Sequence, residues 1–268
     1  MTLVVRDDLS QRTALSKSAL TQFELCQQAA WYDLHARKPM IPNERASFGS
    51  AVDAAVEQIV MQIRDHGAVD LNGAMAAATE VLVENEGGVD LDEVEKAAER
   101  FVIEVAGSRD FTGVATQPRI EVVLPDLGEI STHPDIVYPN NDIDDVKTAK
   151  RAKPDEPSLE LGFYAVAVEA WNDVPVERVG YLTWVRVARP YWQQVSFPVT
   201  DELRRWTRER AGAYIRAKKA DELLNRKAEL ARNFSFPGAP AFRSLCESCQ
   251  YNPANGGECV MALAEDAA

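Results

Sequence analysis

The periodicity of the chain changes sharply at Pro118, and that change limits the fold more than any other feature. Upstream, apolar residues recur at three and four. Leu20, Phe23, Trp31 and Leu34 line one face of a helix predicted from about Ser16 to His35, with Ser16 or Ser18 as N-cap. Val52, Ala55, Val56, Ile59, Val60 and Ile63 line a second, which follows the breaker stretch 38–44 and carries Asp53 and Glu57 one turn apart. Downstream, short β-type runs over 119–124, 129–139 and 143–149 are separated by Pro125-Asp126-Leu127-Gly128 and Asn140-Asn141-Asp142, the pattern of an antiparallel meander. Helical spacing returns over 158–171, strand signals over 179–187 and 192–197, and a long basic helix or helix pair over 201–232. That order predicts an α/β fold, a mixed β-sheet flanked by helices.

With 268 residues, 46% hydrophobic and 26% charged, the chain has the composition of a globular domain, and 1–268 reads as one. The balance of 29 basic against 42 acidic residues, net -13, argues against coating a polyanion by bulk charge but leaves a local groove open. Much of the acid lies between Ala54 and Ala106, where twelve Asp or Glu face three Lys or Arg. The region 65–115 is therefore read as a solvated, acidic helical insertion. No apolar run of about eighteen residues occurs, and the opening MTLVVRDDLSQRT lacks the basic-then-apolar order of a signal peptide. The expectation is a cytoplasmic protein with no membrane partner. A phosphate-binding Gly-x-x-x-x-Gly-Lys-Ser/Thr motif is absent, so the sequence carries no nucleotide-powered motor of that type.

The most informative stretch is His133-Pro134-Asp135 followed by Asp145-Val146-Lys147. Alternate residues of a strand share a face, so Asp145 and Lys147 point together and Val146 points away. A three-residue loop at 140–142 sets Asp135 opposite Lys147 and diagonal to Asp145, on the same face. Two such carboxylates suit a hard cation, Mg²⁺ or Mn²⁺, that leaves water and phosphate positions open. An adjacent ammonium orients the water and offsets developing negative charge, and the reaction implied is phosphodiester hydrolysis. Taken alone, the three residues also read as a surface hairpin with a solvated salt bridge.

Cys26, Cys246, Cys249 and Cys259 are all the cysteines of the chain. Four thiolates suit a [4Fe-4S] cluster or tetrahedral Zn²⁺; the single C-x-x-C fixes only two of them, and disulfides are a third reading. A cross-link between segments 16–35 and 234–262 closes a loop of roughly 200 residues, stabilising on the order of several kcal/mol if it acts as a disulfide does.

These motifs together resemble the PD-(D/E)XK nuclease superfamily, and within it the RecB-like exonucleases, which include the CRISPR-associated iron-sulfur exonucleases and the AddB nuclease domain. Pro134-Asp135 matches the first acidic motif, Asp145-Val146-Lys147-Thr148 the D/E-x-K motif, and Glu160-Leu161-Gly162-Phe163-Tyr164 the Q-x-x-x-Y helix motif with Glu for Gln. Ser18 to Cys26 is similar to the opening segment that ends in a cluster cysteine. Gly49-Ser50-Ala51-Val52-Asp53 stands where the family has Gly-x-x-x-His, an Asp for the usual His. The resemblance implies metal ligation by Asp53, Asp135, Asp145 and the Val146 carbonyl. It further implies water positioning by Lys147, DNA contact by Tyr164, and a structural [4Fe-4S] cluster on the four cysteines, with Zn²⁺ the alternative. Glu121 is read as a further ligand, a supporting acid or a rim carboxylate, and Glu160 as a supporting acid.

Between Leu203 and Arg232 ten Lys or Arg stand against four acids, including Arg204, Arg205 and Arg208. With Lys150, Arg151 and Lys153 they form a candidate phosphate track. Trp184, Tyr191, Trp192, Trp206 and Tyr214 either stack unpaired nucleotides or fill the core. The resemblance implies a Mg²⁺- or Mn²⁺-dependent DNA exonuclease acting on single-stranded ends, in bacterial or phage recombination, repair or spacer acquisition, with a separate helicase or recombination protein as a candidate partner. The alternative is a non-catalytic iron-sulfur or zinc module that holds DNA or a nuclease.

Overall fold

In the computed structural model, residues 14–27, 29–30, 44–84, 89–153 and 156–226 are described. The order is β1 (Leu15–Ser16), α1 (Lys17–Leu25), α2 (Glu44–His66), α3 (Leu71–Glu84), α4 (Leu91–Glu104), β2 (Ala115–Thr116), β3 (Ile120–Leu124), β4 (Gly128–Thr132), β5 (Ile136–Val137), β6 (Ile143–Ala149), α5 (Leu159–Asn172), β7 (Arg178–Val185), β8 (Tyr191–Pro198) and α6 (Asp201–Arg226). This is a mixed α/β architecture with two sheets flanked by helices. Its residues form two compact units, one of Met1–Met40, Glu121–Thr132 and Arg205–Ala268, the other of Ile41–Ile120 and His133–Arg204.

In the first unit β4 lies between β1 and β3, pairing with β1 in parallel as Leu15↔Ile130 and Ser16↔Ser131. Helix α1 is capped by Ser16, whose hydroxyl accepts the Ala19 N–H at 3.2 Å. The buried Phe23 ring meets Tyr214 of α6 edge to face, with centroids 5.3 Å apart.

The second unit is built on a five-stranded sheet in the order β2-β5-β6-β7-β8, in which β6 and β7 are parallel and the other pairs antiparallel. The expected strand over 129–139 is in fact two, β4 and β5, one in each sheet, so the three runs do not form one continuous meander. Pro134 supplies the reason. It has no N–H for a ladder, and the residues around it leave one sheet before the next begins.

The segment read as a solvated insertion is instead a large part of this core. Ala74, Ala78, Leu82, Val94, Ala97, Ala98 and Phe101 are buried in one cluster with Phe48, Val52 and Ile59 of α2 and Val146, Leu182, Trp184 and Trp192 of the sheet. Several of its acids act as clamps rather than as a solvated face. Glu93 receives two hydrogen bonds from Arg186 at 2.7 and 2.6 Å. Glu104 pairs with Arg100 and accepts the Trp192 N–H at 2.9 Å. The polar edge of an amphipathic helix is thereby tied to the strands it covers.

Helix α5 starts at the Ser158 cap, whose hydroxyl accepts the Leu161 N–H at 3.3 Å. Residues 161–168 are all buried, so the helix is apolar around its whole circumference, and the few polar side chains it carries are chosen positions rather than a solvent face.

Candidate active site

The hairpin between β5 and β6 turns through Pro139-Asn140-Asn141. Tyr138 N–H donates to Asp142 O at 2.9 Å and Asn141 N–H to Tyr138 O at 2.8 Å, with Asn141 in the left-handed region at φ 66°. The buried Asn141 side chain locks that turn, donating to Val174 O at 3.0 Å and accepting from Asn172 at 2.6 Å. The loop thus begins one residue earlier than the sequence suggested. Parity is kept, but pairing runs Ile136↔Asp144 and Val137↔Ile143, so Asp135, one step further, stands opposite Asp145 and not opposite Lys147.

This corrected register puts two acids face to face. Asp145 is fully buried, and Asp135 receives the Val146 N–H at 2.6 Å. Lys147 Nζ sits 2.5 Å from Asp145 Oδ2 and 3.3 Å from Glu160 Oε1. Glu160 and Tyr164 come from one face of α5 and are spaced to reach the same side of β6. The Glu at the usual Gln position therefore has a use that spacing alone did not suggest, as a second carboxylate around the ammonium.

Burial, with the other acids nearby, pushes the Asp145 carboxyl up to about 7 even though the ammonium of Lys147 opposes it. Burial likewise raises Asp135, again against Lys147 and with the charge of Asp53 adding to the rise. The carboxylates hold Lys147 charged, well above the ordinary lysine range, against the cost of its burial. Tyr164 is pushed far above the normal phenol range by burial and by Asp145, Glu160 and Asp135, and stays a neutral hydroxyl. Although Lys147 forms an ion pair with it, Asp145 receives no hydrogen bond of good geometry from the protein at either oxygen.

Asp53, on α2, lies close enough to raise the Asp135 carboxyl. Glu57, one turn on, is half-buried, raised by desolvation and hydrogen-bonded by Thr116 of β2. Among the described residues no three or more His, Cys, Asp or Glu side chains form a ready metal cage. Asp135 and Asp145 meet across the hairpin, and Asp53 acts on Asp135 from α2 through its charge. A hard divalent cation that keeps its waters needs only one or two carboxylates, and the facing pair of half-buried Asp135 and buried Asp145 fits it.

The chain matches the family model of the PD-(D/E)XK nuclease superfamily over residues 14–254. It belongs to that superfamily. Among solved structures, a Eubacterium rectale protein described as a candidate exonuclease superposes with a TM-score of 0.58 at 12% identity, covering 92% of this chain and 90% of its own. LHK-Exo, solved in complex with dAMP, is a more distant match, with a TM-score of 0.32 at 14% identity over 69% of this chain and 96% of its own. No curated protein matches the sequence. No helix of the described residues is long and apolar enough to cross a membrane.

The remaining expected residues of this PD-(D/E)XK chain are distributed as follows. Glu121 is exposed on β3, in the first unit. Lys150 and Arg151 are exposed after β6, and Lys150 lines a cleft of about 180 Å³ with Glu44, Thr148, Ala149 and Arg186. Arg204, expected on a DNA track, is spent internally. Its guanidinium bonds Glu169 at 2.7 Å and the carbonyls of Val199 and Val176 at 3.0 Å, closing α5, β8 and α6 around itself. Arg205 is exposed, and Arg208 pairs with Asp126 at 2.7 Å. Trp184, Trp192 and Tyr214 are core, while Tyr191 is exposed. Cys26 caps α1, half-buried, with its Sγ accepting the Ala29 N–H at 3.4 Å. Cys246, Cys249 and Cys259, the rest of segment 234–262, and residues 31–35 lie outside the described residues.

Proposed function

We propose that this protein is a divalent-metal-dependent DNA exonuclease of the RecB-like class that hydrolyses phosphodiester bonds at single-stranded ends. The observation that carries the reading is the meeting of Asp135 and Asp145 beside Lys147, with Asp145 fully buried yet without a well-aligned hydrogen-bond donor. Superfamily membership and an exonuclease-like fold support it.

Asp135, Asp145 and the Val146 carbonyl would hold Mg²⁺ or Mn²⁺, with Asp53 as a further oxygen donor. When bound, such an ion supplies Lewis acidity at the phosphoryl group and eases deprotonation of a water. The protein does the rest with its own groups. Lys147, fixed between Asp145 and Glu160, donates to the attacking water and balances negative charge as it develops on phosphorus oxygens. Tyr164, expected to touch DNA, is fully buried; it keeps its proton and lines the site behind Asp145 from α5. A [4Fe-4S] cluster on Cys26, Cys246, Cys249 and Cys259 would serve structure; the N–H bond to Cys26 Sγ is one that a thiolate ligand accepts well.

The test is digestion of end-labelled single-stranded DNA with Mn²⁺ or Mg²⁺ by the wild type, Asp145→Ala and Lys147→Ala, with folding checked by circular dichroism. Activity in the wild type, lost in both variants, supports the reading; activity surviving both changes sinks this site. Asp53→His should retain activity, and complete inactivation would show that Asp53 is not a ligand. Broad visible absorbance after anaerobic purification separates iron-sulfur from zinc.

A further inference from the structure

We propose that Lys153 is a second active-site cation that contacts a substrate phosphate adjoining the one being cleaved, pre-positioned by Tyr181 and Gln193. The proposal rests on the nuclease reading and adds a DNA-contacting residue to it.

The strand registers Asp145↔Tyr181, Lys147↔Thr183, Tyr181↔Val195 and Thr183↔Gln193 put Asp145, Lys147, Tyr181 and Gln193 on one face of β6, β7 and β8. Lys153 follows β6 and is turned back over that face. Its ammonium lies 4.8 Å from the centre of the Tyr181 ring. Its backbone is gripped at both ends by one side chain: Lys153 N–H donates to Gln193 Oε1 at 2.7 Å, and Gln193 Nε2 donates to Lys153 O at 3.2 Å. The ring is itself fixed, since Tyr181 O–H donates to Ser158 Oγ at 2.5 Å. A loop lysine with its main chain clamped and its ammonium over an aromatic ring has lost most of its freedom before any ligand arrives.

Beyond the Tyr181 ring, no carboxylate among the described residues pairs with its charge. Lys147 has Asp145 and Glu160, Arg186 has Glu93, and Arg204 has Glu169. Lys153 is half-buried. Burial and the neighbouring Lys147 both act to lower its pKa, and Glu160 and Asp145 act on it only from a distance. A partly desolvated ammonium without a counter-ion is unfavourable unless something anionic completes it. Beside Lys147, on the face where a phosphodiester would be cut, a non-bridging phosphate oxygen has the charge and hydrogen-bonding capacity to do so. Lys150 and Arg151, by contrast, are exposed and carry no such positioning.

The test compares the full-length wild type with Lys153→Gln and Lys153→Arg. Binding of a fluorescein-labelled oligothymidylate in Ca²⁺ is followed by anisotropy across a range of NaCl concentrations, and digestion is followed in Mn²⁺. Loss of one charged contact predicts about tenfold weaker binding for Lys153→Gln, with the slope of log K against log salt falling by about 0.7. Lys153→Arg should restore most of both, and kcat/KM should fall with affinity in Lys153→Gln. Unchanged affinity and slope would overturn the proposal. Weaker binding at an unchanged slope would also overturn it, because the residue would then be structural. Should Lys153→Gln fail to fold, Lys153→Met, which keeps an apolar stem on Tyr181, is read by the same slope. A wild type that binds DNA but digests none with either metal contradicts the nuclease reading and leaves the Lys153 contact standing on the slope alone.

Discussion

Asp144 and Asp145 are neighbours on β6, both buried, each with a cation within ion-pair distance, yet they are opposite kinds of site. Asp144 is closed. Arg109 pairs with it at 2.6 Å, Tyr138 O–H donates at 2.9 Å, and Gly180 on β7 leaves it room. Asp145, on the other face of the same strand, has its ammonium at 2.5 Å but also a second acid, Asp135, directly across the hairpin. Burial raises both carboxyls. The contrast teaches that a buried charge by itself does not mark a functional centre. What marks one is a buried charge whose neighbours repel it and whose hydrogen bonds are unfinished.

The largest effect expected is on turnover. Asp145→Ala or Lys147→Ala should lower kcat by at least about 10²–10³-fold in a DNA digestion assay, since each removes a group aimed at developing charge. Asp144→Ala should act on stability instead. It removes the carboxylate that the partly buried Arg109 and Tyr138 O–H share, leaving Arg109 only Gln194 and the Tyr138 ring, and chemical denaturation should show a loss of roughly 1–3 kcal/mol with activity retained in the folded fraction. Gly180→Ala sharpens the same point, because its Cβ would lie 2.5 Å from the backbone oxygen of Val195 and 2.7 Å from Asp144 Oδ1. A cost of roughly 1–3 kcal/mol is expected from such overpacking, read as a lower Tm.

A smaller effect follows from pH. Asp145 has a folded value of about 7, against about 4 for an unfolded Asp. The native state therefore holds this proton more tightly than the unfolded chain. Its contribution to stability is fully present below pH ~4 and is lost as pH rises through about 7. Cation binding must displace that proton, so Mn²⁺ affinity should rise by up to about tenfold per pH unit below 7 and level off above it. Calorimetric titrations at several pH values check this, and a flat profile would remove Asp145 from the ligand set.

Much of this was legible before any coordinates. Strand β6 has the bounds its alternation and flanking turns indicate, and the Ser158 cap opens α5 where helical spacing returns. The facing of Asp145 and Lys147 follows from strand period alone. Register was legible only in its parity. Whether the turn began at Pro139 or Asn140 depended on Asn141 taking a left-handed backbone, held there by Val174 and Asn172, a tertiary contact no local pattern encodes. The same limit hid the uses of Glu93, Glu104, Glu160 and Arg204. In the sequence each is one more charge on a helix, and only packing shows which charges are tied down.

The contrast between neighbouring acids is tested most directly by titrating Mn²⁺ into the wild type, Asp144→Asn and Asp145→Asn and counting bound ions by electron paramagnetic resonance. A Mn²⁺ site kept by Asp144→Asn and lost by Asp145→Asn is the result expected. Equal binding by both variants, or none by the wild type, would contradict the assignment of Asp145 as the open acid of the pair.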